Sequence, residues 1–266
     1  MDYSVEELSN IIDKIIPVNK QKMNRFGHGT SDFLKTISRM SLTKFAKSDS
    51  LYFSLDHTYL CSEIALELIQ CLVATKGMVR PGQIINIMTA VLFCNVGIIR
   101  GILPQDKLNR YAIDKENIKS IIAGATDSSL WRYRIARSSM YIENTPYLQN
   151  LINNDIVISA IKNTDIFEST DKNQMYTDID QYSRAIQIIA LMSNPNYQKQ
   201  LVRLYWSAVE GGVLESFPCE DLGEFRENFP KYFWDNLYAD AAETIRLLRE
   251  SDRGREIVSS MYSHLE

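Results

Sequence analysis

Histidine, cysteine, glycine and proline are all scarce in this sequence. Its 266 residues include three histidines and four cysteines, and no two cysteines form a CxxC pair. This excludes a zinc ribbon and a disulfide framework and indicates reduced, mostly buried thiols. No Gly-, Ser- or Pro-rich stretch divides the chain, so we expect one domain over residues 1–266.

A strong positive charge and a long apolar run are also missing. The net charge is −4, which argues against duplex nucleic acid as a partner. The longest apolar stretch, Ile84 to Ile99, contains three polar interruptions and falls short of the ~20 apolar residues of a membrane span. Residues 1–7 are acidic and do not resemble a secretory signal. We therefore expect no membrane span and a cytoplasmic protein, or a stromal one if it is encoded in a plastid.

The apolar residues recur at helical spacing along nearly the whole chain. A first helix is expected from a Ser4–Glu7 capping box to Pro17. The other expected helices cover residues 32–47, 54–75, 81–95, 128–141, 147–162, 178–192, 195–210, 232–250 and 253–264. Residues 97–126 are expected to be irregular, and no alternating run predicts a sheet. The predicted fold class is all-α.

Of the three histidines, His57 is the best candidate for a site. Helical steps from His57 lead to Cys61 and Ile64, so its side chain is expected to face inward. It is either a metal ligand or a core histidine bonded to a backbone carbonyl. His28 is expected in a loop, and His264 is expected to be solvated. The sequence has no phosphate-binding loop and no GxSxG nucleophile motif.

Two segments resemble a known family. Residues 54–59 (SLDHTY), followed by residues 93–101 (FCNVGIIRG), are similar to the HD-domain metal-dependent phosphohydrolases common in cyanobacteria. Further likeness, at 124–130, 184–197, 229–234 and 261–264, extends the resemblance over about 50–266, with residues 1–50 forming separate N-terminal helices. The resemblance implies a single HD/PDEase-like helical domain and a cyanobacterial or plastid source.

The sequence departs from that family at the metal ligands. His57 stands at the first ligand position, while the His-Asp pair that names the family corresponds to Cys94 and Asn95. The aspartate on the later helix corresponds to Gln187. Amides bind divalent ions weakly, so the resemblance implies a vestigial site with no metal and no cofactor.

Three further family positions, which carry His or Asp in relatives, correspond here to Arg134, Ala136 and Asn163. An alternative left open is a zinc ion held by His57, Cys61 and Cys94.

The resulting expectation is a catalytically degenerate protein, a pseudoenzyme without catalytic residues, that acts through an unknown protein partner in a regulatory or assembly role. The aromatic residues Tyr232, Phe233 and Trp234 are candidate anchors, although at least two of them are expected to be buried. One alternative is a phosphohydrolase with a site rebuilt around His57.

A second alternative is a sensor. It would bind an anionic small molecule in the vestigial pocket, with Arg100, Arg134 and Arg137 as candidate anion ligands.

Overall fold

Helices make up nearly all of the regular structure. The computed structural model describes residues 28–77, 79–168 and 177–265. The helices, labelled in chain order, are α1 (His28–Phe45), α2 (Leu55–Lys76), α3 (Pro81–Phe93), α4 (Arg134–Glu143), α5 (Pro146–Gln149), α6 (Asn154–Lys162), α7 (Asp178–Met192), α8 (Tyr197–Gly211), α9 (Leu222–Tyr232), α10 (Tyr238–Leu248) and α11 (Asp252–Ser263). Short 3-10 turns lie at Val96–Ile98, Asp127–Tyr133 and Leu214–Ser216, and a π-helical turn lies at Phe233–Leu237. The all-α prediction is confirmed, whereas the helix expected near Ser4 and Glu7 lies outside the described residues.

Helix α3 lies at the centre of the core. Every residue from Ile84 to Phe93 is buried, because α1, α2, α6 and α7 pack around it. Helix α7 in turn packs against α2, α6 and α10. The first turn of α2, the end of α3 and the middle of α7 therefore approach one another inside the fold, and all three carry candidate site residues.

Local sequence signals explain where the central helices begin and end. Ser54 caps α2 by accepting a hydrogen bond from the backbone N–H of His57 at 3.3 Å. Gly77 ends α2 with φ +72°, a left-handed conformation that suits glycine. Thr177 and Asp180 form a capping box at the start of α7, which spans the predicted residues 178–192.

The region expected to be irregular contains a small antiparallel hairpin, so the prediction without any sheet was wrong. Strands β1 (Arg110–Ala112) and β2 (Ile118–Ser120) pair with Tyr111 opposite Lys119. Each strand has only three residues, too few for an alternating pattern to be visible. The carboxylate of Asp114 stabilises the turn by accepting backbone N–H bonds from Glu116 and Asn117 at 2.8 and 2.7 Å.

Several predicted helices begin or divide at other places. The segment expected at 147–162 is two helices, because the Asn153 side chain caps α6. The segment expected at 128–141 begins as a 3-10 turn, and that expected at 232–250 contains the π-helical turn. Helix α9 was not predicted, and α8 begins at Tyr197, two residues later than expected.

Two of the histidine predictions were wrong. His28 begins α1 instead of lying in a loop. His264 is half-buried and not solvated. Its Nδ1 lies 2.8 Å from the carbonyl oxygen of Met192, and its ring stacks on Tyr197 at 4.9 Å.

Two helical segments, Leu55–Thr75 and Pro81–Ile98, are long and apolar enough to cross a membrane by length and composition alone. Within the fold 56% of the first and 83% of the second is buried. A core helix meets the same criteria, so the two segments are weak support for a membrane span.

Candidate functional site

His57 lies at the centre of a buried polar cluster. Its imidazole is only 2% exposed, and Nε2 lies 3.2 Å from Oε1 of Gln187 on α7. The thiol of Cys61, one turn further along α2, lies 3.5 Å from the same nitrogen. His57 therefore bonds to a side chain from a distant helix and not only to its own backbone.

Asn95, directly after α3, completes the contact between three elements. Its Nδ2 donates a hydrogen bond to Oε1 of Gln187 at 3.0 Å. The amide oxygen of Gln187 thus faces both the Asn95 amide and the imidazole of His57, which fits a His57 tautomer with its proton on Nε2. The first turn of α2, the end of α3 and the middle of α7 are joined by uncharged groups.

The guanidinium of Arg134 extends this cluster from the first residue of α4. Arg134 is 2% exposed, and its side chain donates hydrogen bonds to Asn95 Oδ1 at 2.6 Å and Thr164 Oγ1 at 3.3 Å. It also forms an ion pair with Asp165 at 3.0 Å. Phe53 covers one side of the guanidinium, 5.2 Å from its ring centroid. A fixed positive charge is therefore buried beside the two amides.

Gly97 allows this close approach. A Cβ at Gly97 would lie 2.2 Å from the carbonyl oxygen of Arg134 and 2.4 Å from the amide nitrogen of Ser138. Ser138 accepts the N–H of Gly97 at 2.8 Å and donates to the carbonyl of Cys94 at 2.9 Å. Only glycine lets the start of α4 lie directly on the turn after α3, and this contact brings Arg134 to Asn95.

Burial keeps the imidazole and the two thiols of the cluster uncharged near neutral pH. It lowers the pKa of His57 to about 4; the charge of Arg134 adds to this effect, and the hydrogen bond to Gln187 opposes it. Burial raises the pKa of the Cys94 thiol to about 11 and that of Cys61 well above its usual range. The imidazole and both thiols are therefore neutral, and the positive charge here belongs to Arg134.

This set of residues does not fit a divalent cation. No group of three or more His, Cys, Asp or Glu side chains in the described part of the chain could hold a metal ion. Asp165, the nearby carboxylate, already pairs with Arg134. The Cys94 thiol bonds to the carbonyl of Val91 at 3.4 Å, so the geometry gives no support to a zinc ion shared by His57, Cys61 and Cys94.

A model of the family described as Npun_R2479-like matches residues 6–266. The chain belongs to the Npun_R2479-like family. Searches of curated proteins and of solved structures gave no significant match. The family description states no activity, so the function of this Npun_R2479-like protein must be argued from its own geometry.

In this Npun_R2479-like chain all three candidate anion ligands pair with carboxylates. Arg134 pairs with Asp165, as described above. Arg137 and Asp106 are both fully buried and pair at 2.8 and 3.0 Å. Arg100 pairs with Asp127 at 2.8 Å and Asp49 at 2.6 Å. Their positive charges are compensated within the protein.

Of the three further family positions, Arg134 reaches the cluster and the other two do not. Ala136 is exposed, and the Asn163 side chain bonds to the carbonyl of Ser159 at 3.1 Å. The residues that do reach it after α6 are Thr164 and Asp165, which sequence reasoning missed. The available signal for Asp165 in the sequence was its position two residues after Asn163, a suspected site residue.

Proposed function

We propose that this protein is a catalytically silent relative of the HD-type phosphohydrolases that works by binding a protein partner. One observation carries the proposal: the guanidinium of Arg134 lies 2.6 Å from Asn95 Oδ1, at the position that the family resemblance gives to a metal-ligating aspartate. A hydrolytic metal site needs several anionic or imidazole ligands and an open position for water. The cluster supplies one neutral imidazole and two amides, and the nearby carboxylate of Asp165 is already paired with Arg134.

An exposed aromatic patch supports the interaction role. Trp234 is 46% exposed and lies against Tyr238 and Tyr262, with ring centroids 4.9 and 6.1 Å away. Arg249 covers Tyr262 at 5.6 Å, so the aromatic patch combines the residue types enriched at binding hot spots. Of the two other candidate anchors, Phe233 is buried and Tyr232 is partly buried.

The backbone at the aromatic patch is also unusual. Trp234 belongs to the π-helical turn Phe233–Leu237, between α9 and α10. Turns of this type are rare and occur frequently at functional sites. Phe233 and Leu237 anchor the turn in the core, and Trp234 faces outward.

The silent site is tested by rebuilding it. The natural protein, incubated with Mn²⁺ and gel-filtered, should retain no metal and release no p-nitrophenol from bis(p-nitrophenyl) phosphate. The triple variant Cys94→His, Asn95→Asp, Gln187→Asp should also fail, because Arg134 would pair with the new carboxylates. Adding Arg134→His should permit Mn²⁺ binding. Stoichiometric metal and turnover in the natural protein would refute the proposal.

The interaction role is tested with two matched tryptophans. Trp206 on α8 is 50% exposed and lies outside the aromatic patch. Tagged protein expressed in its native source should capture a stoichiometric partner, and Trp234→Ser should lose it while Trp206→Ser retains it. Equal capture by both variants, or no capture by the natural protein, would contradict this role.

A further inference from the structure

A second feature of the protein is a basic cleft, separate from the polar cluster. It has a volume of about 900 Å³ and lies between the C-terminal half of α1, the segment after α3 and the start of the hairpin. Five cationic side chains line the basic cleft: Arg39, Lys44, Lys47, Arg100 and Lys107. Its volume falls within the range of small-molecule sites, about 300–1,000 Å³.

The carboxylates of the basic cleft do not balance these charges. Asp127 pairs with Arg100, and Asp106 pairs with the buried Arg137 behind the wall. Among the described residues no carboxylate pairs with Arg39, Lys44, Lys47 or Lys107. Because the whole chain carries a net charge of −4, this concentration of positive charge is a local feature.

The charged form of Lys44 is less favourable in the basic cleft than it would be in water. Its side chain is half-buried, with Nζ 5.2 Å from the ring centroid of Tyr141. Burial, and next the charge of Lys47, lower the pKa of Lys44. The negative charge of an anion in the basic cleft would offset both effects.

Helix capping alone does not explain the arrangement. Lys44 lies in the last turn of α1 and Lys47 lies two residues beyond its end, where the helix dipole favours cations. Arg39 lies mid-helix, however, and Lys107 comes from the hairpin region. Separate parts of the chain therefore direct positive charge into one concavity.

We propose that the basic cleft binds a phosphorylated small molecule, whose phosphate groups contact Arg39, Lys44, Lys47 and Lys107. Met40, Ile102 and Tyr111 also line the basic cleft and offer apolar surface to the rest of the ligand. The concave shape favours a small molecule over a flat membrane surface. The inference goes beyond the proposed function, because none of these residues belongs to the polar cluster or to the aromatic patch.

The test is calorimetric titration of the full chain with tripolyphosphate at low ionic strength. Natural protein should bind one tripolyphosphate, and Lys44→Met and Arg39→Gln should each weaken binding about tenfold, the loss of one charge-assisted hydrogen bond. Lys162→Met is the matched control, because Lys162 is an exposed lysine in the last turn of another helix, α6. It should leave the affinity unchanged.

Three results would overturn the proposal. The first is no binding of tripolyphosphate by the natural protein. The second is an equal loss in Lys44→Met and Lys162→Met, which would indicate only diffuse attraction. The third is tighter binding to phosphatidylserine vesicles than to tripolyphosphate, lost in Lys44→Met, which would make the basic cleft part of a membrane-binding surface.

Discussion

Replacing Arg134 by methionine is the sharpest test of the polar cluster. The change keeps much of the side-chain length but removes the guanidinium, so Asp165 loses its ion-pair partner while its side chain stays 11% exposed. Asn95 Oδ1 and Thr164 Oγ1 lose a donor as well. Breaking a buried ion pair in this way costs about 3–5 kcal/mol, a large part of the about 5–15 kcal/mol that holds a typical domain.

The assay is urea unfolding followed by circular dichroism, with two comparisons. Arg246→Met is the control, because Arg246 pairs with Glu243 on the surface and is 62% exposed, so a much smaller loss than that of Arg134→Met is expected. The double variant Arg134→Met, Asp165→Asn removes both charges but keeps the Oδ1 that accepts the N–H of Phe167. Its loss should be smaller than the sum of the two single losses by about 1–3 kcal/mol.

An equal, small loss in Arg134→Met and Arg246→Met would refute the reasoning. It would mean that the buried guanidinium of Arg134 contributes no more to the free energy of unfolding than the solvated guanidinium of Arg246. If the double variant lost as much unfolding free energy as the two single variants together, Arg134 and Asp165 would act independently, which would contradict the ion pair.

Three further predictions concern the same region. Because burial lowers the pKa of His57 from 6.5 to about 4, only the unfolded chain gains a proton in that interval. The free energy of unfolding should therefore be highest above pH 6.5 and fall by about 3 kcal/mol as the pH drops to about 4. Urea titrations at several pH values measure this fall, which should be correspondingly smaller in His57→Gln. Gly97→Ala should cost about 3 kcal/mol or more by the same method, since its Cβ would meet the backbone of Arg134, and near-natural stability would disprove that close approach. Ser54→Ala should cost about 1 kcal/mol through the lost cap of α2, and Ser54→Thr should recover most of it.

The sequence predicted elements that interactions within one segment stabilise, and it missed elements that contacts between distant residues stabilise. Helix α7 was predicted at residues 178–192 because its helical apolar pattern lies within one segment, and the structure adds a capping box at its start. The hairpin was missed because contacts outside it hold it in place: Asp106 accepts the N–H of Ala112 at 3.0 Å and pairs with Arg137 at 2.8 Å. Asp106 and Arg137 are far apart in the sequence, so their pairing leaves no periodic pattern in two strands of three residues each.

The same limit applies to the polar cluster. His57, Asn95 and Gln187 were selected from family resemblance, and the structure brings them within hydrogen-bond distance. The role of Arg134 was not foreseen. It was expected to offer positive charge to a ligand, whereas its Nη1 and Nη2 donate to Asn95 and to Asp165 from the loop after α6. Asp165 lies 31 residues after Arg134, and packing decides that these two side chains pair. Composition and spacing do not encode that packing.

On the proposed scaffold, Arg134 can replace the structural role of a metal ion without its chemistry. A hydrolytic metal ion would be held by several anionic or imidazole side chains and would keep a coordination site open for water. The guanidinium joins α3, α4 and the loop after α6 through Asn95 and Asp165, but its charge is permanent and its contacting donors are occupied by protein. Under the proposed function, the guanidinium keeps these elements joined without a metal ion. Such a scaffold would act through its surface, where the aromatic patch and the basic cleft offer a partner and a ligand distinct places to bind.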